Sequence, residues 1–324
     1  MTPSVANILL LFAAAIWGFA FVAQRVGMAS VGPFTFNAVR FGLGALSLIP
    51  LIFATQSRQE HRVPLRRLLL GGGLVGVVLF AAASAQQLGV VTTTAGKAGF
   101  ITGLYVILVP LLALVWGERA SVLTWIGAVL AVVGLYFLSV TGDVALAVGD
   151  AWVLLGAFLF AVQIQLIAYL TQRIDPLPLA AVQFAVCSLF SWVAALVSEP
   201  VTWAGMRQAL LPLLYGGLMS VGVAYTIQAV AQRYARPTPA AIIMSLESPF
   251  AALGGWLMLG EQLGARGGLG SALMLAGMVV AQVKVGERES DRGHVSAEHA
   301  EAALPPSALS QEDRTCARSL PADL

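Results

Sequence analysis

The chain has 324 residues, of which 58% are hydrophobic and only 10% charged, where a soluble domain carries about a quarter charged residues. This composition excludes a soluble enzyme and leaves a polytopic, all-α membrane protein, and the formal net charge of +2 gives no reason to expect a nucleic-acid partner. Two cysteines and three histidines exclude a disulfide framework and a His-rich metal site, and no cofactor motif is present.

In chain order, ten runs reach the roughly 20 apolar residues that a spanning helix needs: 5–26, 34–54, 68–89, 94–116, 122–140, 150–171, 178–198, 208–231, 238–259 and 266–284. The first lacks a charged leader and a clear cleavage site, so it is expected to be a retained helix. Residues 286–324 are polar and mixed in charge and are expected to form a disordered cytoplasmic tail. Positive residues collect in cytoplasmic loops. Arg58, Arg62, Arg66, Arg67, Arg119, Arg173, Arg233, Arg236, Lys284 and Arg288 fall on the side of both termini, against Arg25, Arg207 and Arg266 on the other. Both termini are therefore expected in the cytoplasm, with the protein in the cell (inner) membrane.

A shift of 143 residues lays the chain on itself without a gap. Pro33 falls on Pro176, AVRF (Ala38–Phe41) on AVQF (Ala181–Phe184), Gly117-Glu118 on Gly260-Glu261, Gly127 on Gly270 and Gly134 on Gly277. The unit holds five spans, 5–140 and 150–284. Five is odd, so the second copy enters the membrane from the opposite side. Such an inverted repeat is a common plan of secondary transporters, with a site near the bilayer midplane.

Several motifs carry a family resemblance: Trp17-Gly18 in span 1, Arg40 in span 2, Gly117-Glu118 after span 4, and Gly127 to Gly134 in span 5. LESPFAALGGWLMLGE (Leu246–Glu261) is the most specific. The chain resembles the drug/metabolite transporter superfamily in its ten-helix EamA-type branch, over about residues 5–284. Tyr105-Val106 stands where the second half has Ser248-Pro249, a departure from the pattern. The resemblance implies a carrier of small solutes, usually an exporter, with a cavity between the halves.

Three ionisable residues lie clearly within spans: Arg40, Lys97 and Glu247. A charge in a bilayer costs at least a few kcal/mol, so each should face a cavity or a partner. Arg40 has two readings: it grips an anionic group such as a substrate carboxylate, or it ties span 2 to its neighbours. Lys97 either snorkels to the outer interface or lines a cavity among the small residues Thr92–Ala98. Glu247 is the deepest acid. It is a candidate for proton coupling, for pairing with Arg40 or Lys97, or for a structural role. The stretches TTTAGKAGF and ARPTPAAII, in corresponding places, are expected to interrupt spans 4 and 9, with Pro237 and Pro239 preventing normal helix bonding.

Of the aromatics, Trp17 and Tyr105 are the leading cavity candidates, ahead of Phe21, Phe80, Phe100, Phe160 and Tyr225. Gln86, Gln163, Gln165 and Gln228 are neutral hydrogen-bond candidates. The expected substrate-binding set is Arg40, Lys97, Trp17, Tyr105 and Glu247, and its chemistry suits an amino acid. The expected function is export of small metabolites by alternating access. The alternatives are a lipid flippase or a multidrug-type efflux carrier. A membrane enzyme would need clustered His, Asp or Cys near one interface, and the sequence has none.

Overall fold

Caps and prolines start the helices at the span boundaries. The computed structural model describes residues 1–56, 64–92, 95–115, 121–139, 148–260 and 264–281, without the side chains of 56, 95–97, 100, 135, 138 and 139. Among these residues every regular element is helical. Helix α1 (Pro3–Gly27) begins at Thr2, whose hydroxyl accepts from Val5 N at 3.4 Å. Helix α8 (Pro176–Ser198) begins at Asp175, whose carboxylate accepts from Leu177 N at 3.2 Å. In both, proline takes the first helical position, where its missing N–H is no loss.

Between them lie α2 (Pro33–Gln56), α3 (Leu65–Thr92), α4 (Ala95–Gly103), α5 (Tyr105–Val115), α6 (Val122–Ser139) and α7 (Val148–Leu170). After α8 come the short α9 (Trp203–Gln208) and α10 (Leu210–Leu214). A π-wound segment, Tyr215–Tyr225, leads into α11 (Thr226–Ala231). Then follow α12 (Pro237–Met244), α13 (Glu247–Leu259) and α14 (Ala265–Ala281).

Among the described residues, seven helical stretches are long and apolar enough to cross a bilayer, at the positions expected for spans 1, 2, 3, 6, 7, 8 and 9. Three shorter apolar helices, Ile101–Val115, Val122–Gly134 and Ala265–Ala281, fall at spans 4, 5 and 10. Polarity is inverted relative to a soluble protein. Leu46, Phe53, Leu196, Val197 and Leu257 project outward, whereas Gln24, Asn37, Arg40, Gln183 and Gln228 are buried. The tail from 282 onward, Glu118 and Glu261 lie outside the described residues.

Spans 4 and 9 are interrupted, but not where the sequence suggested. Pro237 opens α12 after an extended Arg236, and Pro239 still lies in the first turn, whose N–H groups have no helical partner anyway. The break falls at Ser245-Leu246, where Leu246 N bonds Ile243 O at 3.1 Å and Ser248 N bonds Ser245 O at 3.1 Å. Pro249 reinforces the break in span 9, although its counterpart in span 4 is Val106. The proline ring clashes with the carbonyl four residues back, that of Ser245, and it has no N–H to donate. Span 4 breaks at Leu104, with Leu104 N on Ile101 O at 3.2 Å and Ile107 N on Leu104 O at 3.0 Å. Subtracting the 143-residue offset from Leu246 gives 103, next to Leu104, so the two breaks correspond.

Equivalent helices meet antiparallel. In α6 and α14, a side chain at Gly127 would strike Gly277, and one at Gly134 would strike Gly270. These are the glycines that the repeat superposes, now exchanged between partners, as two-fold-related helices require. In α2 and α8, Ser188 Oγ donates to Ala38 O at 2.7 Å, and the Phe41 and Phe184 rings lie 6.3 Å apart. At one end of this pair, the Glu199 carboxylate accepts from Phe34 N, Thr35 N and Thr35 Oγ1 at 2.7–2.8 Å. That places the start of α2 beside the end of α8.

Candidate functional site

The two breaks open onto one cavity. Thr102 and Tyr105 flank the interruption of span 4, Met244 and Glu247 flank that of span 9, and all four line it. Ser248 Oγ donates to Gly99 O at 2.9 Å, which ties the two broken helices together. The cavity is small, about 40 Å³ in volume. It is therefore a narrow chamber with several polar recesses.

Helix α1 contributes through its Trp-Gly pair. A side chain at Gly18 would collide with the Glu247 carbonyl and with Phe250, so glycine lets the first turn of α13 press against α1. Trp17 then faces the chamber and donates its indole N–H to Ser220 O at 3.2 Å. Ser220 belongs to the π-wound segment, a form that recurs at functional sites. The Trp17 and Tyr225 rings meet edge to face at 4.8 Å, and Phe41 and Phe184 each lie 6.0 Å from Tyr225. The matched phenylalanines of AVRF and AVQF thus pack on a single tyrosine.

Among the described residues Arg40 is the most heavily buried cation, 2% exposed, and it lines the cavity. Its guanidinium carbon stands 4.9 Å from the Phe41 ring centre and 5.7 Å from that of Phe36. Its Nε is buried without a hydrogen-bond partner. Ring faces attract a cation, but they do not satisfy its N–H donors.

Glu247 is 5% exposed, and one carboxylate oxygen lacks a partner. Tyr105 and Tyr225 line the same chamber. Among the described residues Arg40 and Glu247 form no ion pair. The chamber therefore holds, among the described residues, one cation and one acid, and each keeps unused hydrogen-bonding capacity.

Four of the five residues expected from sequence, Trp17, Arg40, Tyr105 and Glu247, line this one cavity. Lys97 lies in α4, but its side chain is outside the described residues, as is that of Phe100. Phe80 turns away and pairs with Phe190 at 5.7 Å. Gln165 donates to Val109 O at 3.0 Å and does not line the chamber. Gln86, Gln163 and Gln228 do line it.

The sequence reading missed Gln24, Thr102 and Ser220. For Gln24 a signal existed: Trp17, Phe21 and Gln24 share one helical face at spacings of four and three. Ser220 contributes its backbone carbonyl, which no side-chain pattern could reveal.

Comparison with known proteins agrees with this architecture. The EamA-like transporter family matches twice, over residues 4–140 and 147–282. An uncharacterized transporter of Archaeoglobus fulgidus is 30% identical over 282 residues, 86% of each chain. The uncharacterized transporter YoaV of Bacillus subtilis is 24% identical over 275 residues, 81% of this chain and 91% of the relative. A crystal structure described only as that of a protein shares the fold with a TM-score of 0.71 at 18% identity, covering 86% of this chain and 96% of that one. With a repeated family match over most of its length, the chain belongs to the EamA-like transporter family and is a multi-pass membrane transporter.

Proposed function

We propose that the protein is a secondary carrier that exports small metabolites such as amino acids by alternating access between two inverted five-helix repeats. The observation that carries this reading is the chamber at the paired breaks of spans 4 and 9, which Arg40 and Glu247 both line without an ion-pair partner among the described residues. A planar guanidinium grips a carboxylate with two hydrogen bonds. A carboxylate in the same chamber suits an ammonium group, and Trp17, Phe21 and Phe160 suit an apolar side chain.

The antiparallel meeting of equivalent helices supports inversion, and the five-span unit supports ten crossings. The arginine-rich loops support cytoplasmic termini and hence loading from the cytoplasm. Glu247 is the candidate for coupling transport to protons.

A ligand-stabilisation screen of the purified protein across amino acids, nucleosides, sugars and cationic drugs tests the substrate class. Proteoliposome flux then tests transport. Stabilisation by amino acids followed by flux is the expected result. Movement of a lipid probe with no solute flux, or stabilisation by cationic drugs alone, contradicts the reading. For coupling, Glu247→Gln is expected to abolish gradient-driven uptake and leave exchange intact.

A further inference from the structure

The chamber does not end at its polar ring. Helices α7 and α11 continue from it toward one end of the bundle. Along them lies a second, wider space of about 1010 Å³, lined by Arg173, Arg233 and Arg236. Gly27 of α1 abuts Pro212, at the start of the 210–231 stretch, so α1 and that stretch run antiparallel. The N-terminus and Arg233 therefore share an end of the molecule. A shallower depression at the same end shares Tyr169 and Arg173 and adds Arg66 and Arg67. Among the described residues, no acidic residue lines either space. The nearest in sequence, Asp175, is engaged as the cap of α8.

Between chamber and cleft stands a seam of glutamines. Gln228 Nε2 donates to Gln163 Oε1 at 3.2 Å, joining α11 to α7 where both residues still line the chamber. One turn further along α11, Gln232 lines the cleft at 1% exposure. Both amide atoms of Gln232 are buried without a partner, as are Gln163 Nε2 and Gln228 Oε1. Buried amide groups left unpaired cost on the order of 1–3 kcal/mol each. Helix packing alone would be served better by leucine here. Unpaired donors and acceptors in single file are what a passing polar solute, or the water that precedes it, can satisfy.

We infer that the α7–α11 seam is the solute's passage from the N-terminal side. The Arg173/Arg233/Arg236 cleft is its anion-collecting mouth, Gln232 its lining and the Gln163–Gln228 bond its inner constriction. The ligand class is a small carboxylate- or phosphate-bearing solute, drawn in by a one-sign field and handed to Arg40. The identity of that solute rests on the proposed carrier function. The passage itself does not.

The test therefore reads access without transport. In a background with Cys187→Ala and Cys316→Ala, Gln232→Cys and Gln228→Cys are introduced one at a time. Membrane-impermeant methanethiosulfonates, one anionic and one cationic, are added from the N-terminal side, with rates normalised to those of a free thiol. Both cysteines are expected to react, and the anionic reagent about tenfold faster at low salt. The preference should shrink at high salt and vanish when Arg173, Arg233 and Arg236 are all changed to Gln. If the triple variant is not recovered, Arg236→Gln alone should reduce the preference.

Equal normalised rates at low salt, no reaction at Gln232→Cys, or reaction only from the opposite side would overturn the passage. A labelled passage in a protein that moves no solute would instead count against the carrier reading alone. An acidic lipid headgroup in the cleft, rather than a free solute, would be distinguished by vesicles of neutral lipid, in which the anion preference should persist.

Discussion

Arg40 and Gln183 occupy the same position in the two repeats and meet different surroundings. Arg40 reaches a cavity and lies against two phenyl rings. Gln183 is fully buried, and neither of its amide atoms has a partner. The same contrast runs through the neighbouring helices. Span 3 is α-helical throughout, while its counterpart, span 8, winds as a π-helix over Tyr215–Tyr225 and delivers Ser220 O to Trp17. Leu104 stands at the break of span 4 and Glu247 at that of span 9. The helix frame is shared between the halves, and the chemistry is not. Packing needs the frame twice; a single solute needs one cation and one acid.

The largest test of this contrast makes the halves alike. Arg40→Gln gives span 2 the residue of span 7. It should weaken binding of a carboxylate-bearing solute about a hundredfold, since hydrogen bonds to a charged group contribute roughly 1.5–3 kcal/mol. Adding Gln183→Arg should not restore it, because Gln183 does not line the chamber. Calorimetric titration of both variants checks this.

Where the halves are equivalent, damage should be equivalent. Gly134→Leu and Gly277→Leu overfill the same kind of crossing from opposite partners. Each should destabilise the protein by about 1–3 kcal/mol, seen as similar falls in thermal midpoint in detergent. Unequal falls would show that the α6–α14 crossing is not two-fold.

Much of this was legible in the sequence. The 143-residue register followed from Pro33, Gly127, Gly134 and the Gly-Glu pair because backbone-level features survive duplication. Trp17, Arg40, Tyr105 and Glu247 stood out because a polar or ionisable group is costly within an apolar run. The position of the breaks was misjudged. Pro237 and Pro239 looked disruptive, but a proline in the first turn is harmless, and Pro249 acts on a carbonyl four residues upstream. The π-winding of span 8 left no mark, since Gly216, Gly217 and Gly222 read equally well as helix-contact residues.

Two smaller changes sharpen the asymmetry at the ends of spans 2 and 7. Glu199 caps α2 with three hydrogen bonds, and its repeat counterpart is Gln56. Glu199→Gln removes the charge from that cap and should cost about 1 kcal/mol, read from thermal unfolding. Ser188→Ala, which loses the bond to Ala38 O, should cost about 0.6 kcal/mol. The counterpart of Ser188 is Ala45 and that of Ala38 is Ala181, so Ala45→Ser should recover the loss by bonding Ala181 O across the same two-fold crossing.

The central claim is that Arg40 and Glu247 hold the two ends of one small solute. The most direct measurement is calorimetric binding, to the wild type and to Arg40→Gln, of whichever amino acid stabilises the protein and of its carboxamide analogue. The account predicts that the carboxamide binds the wild type about a hundredfold more weakly than the parent, and that Arg40→Gln erases the difference. Equal binding of acid and carboxamide by the wild type would contradict it.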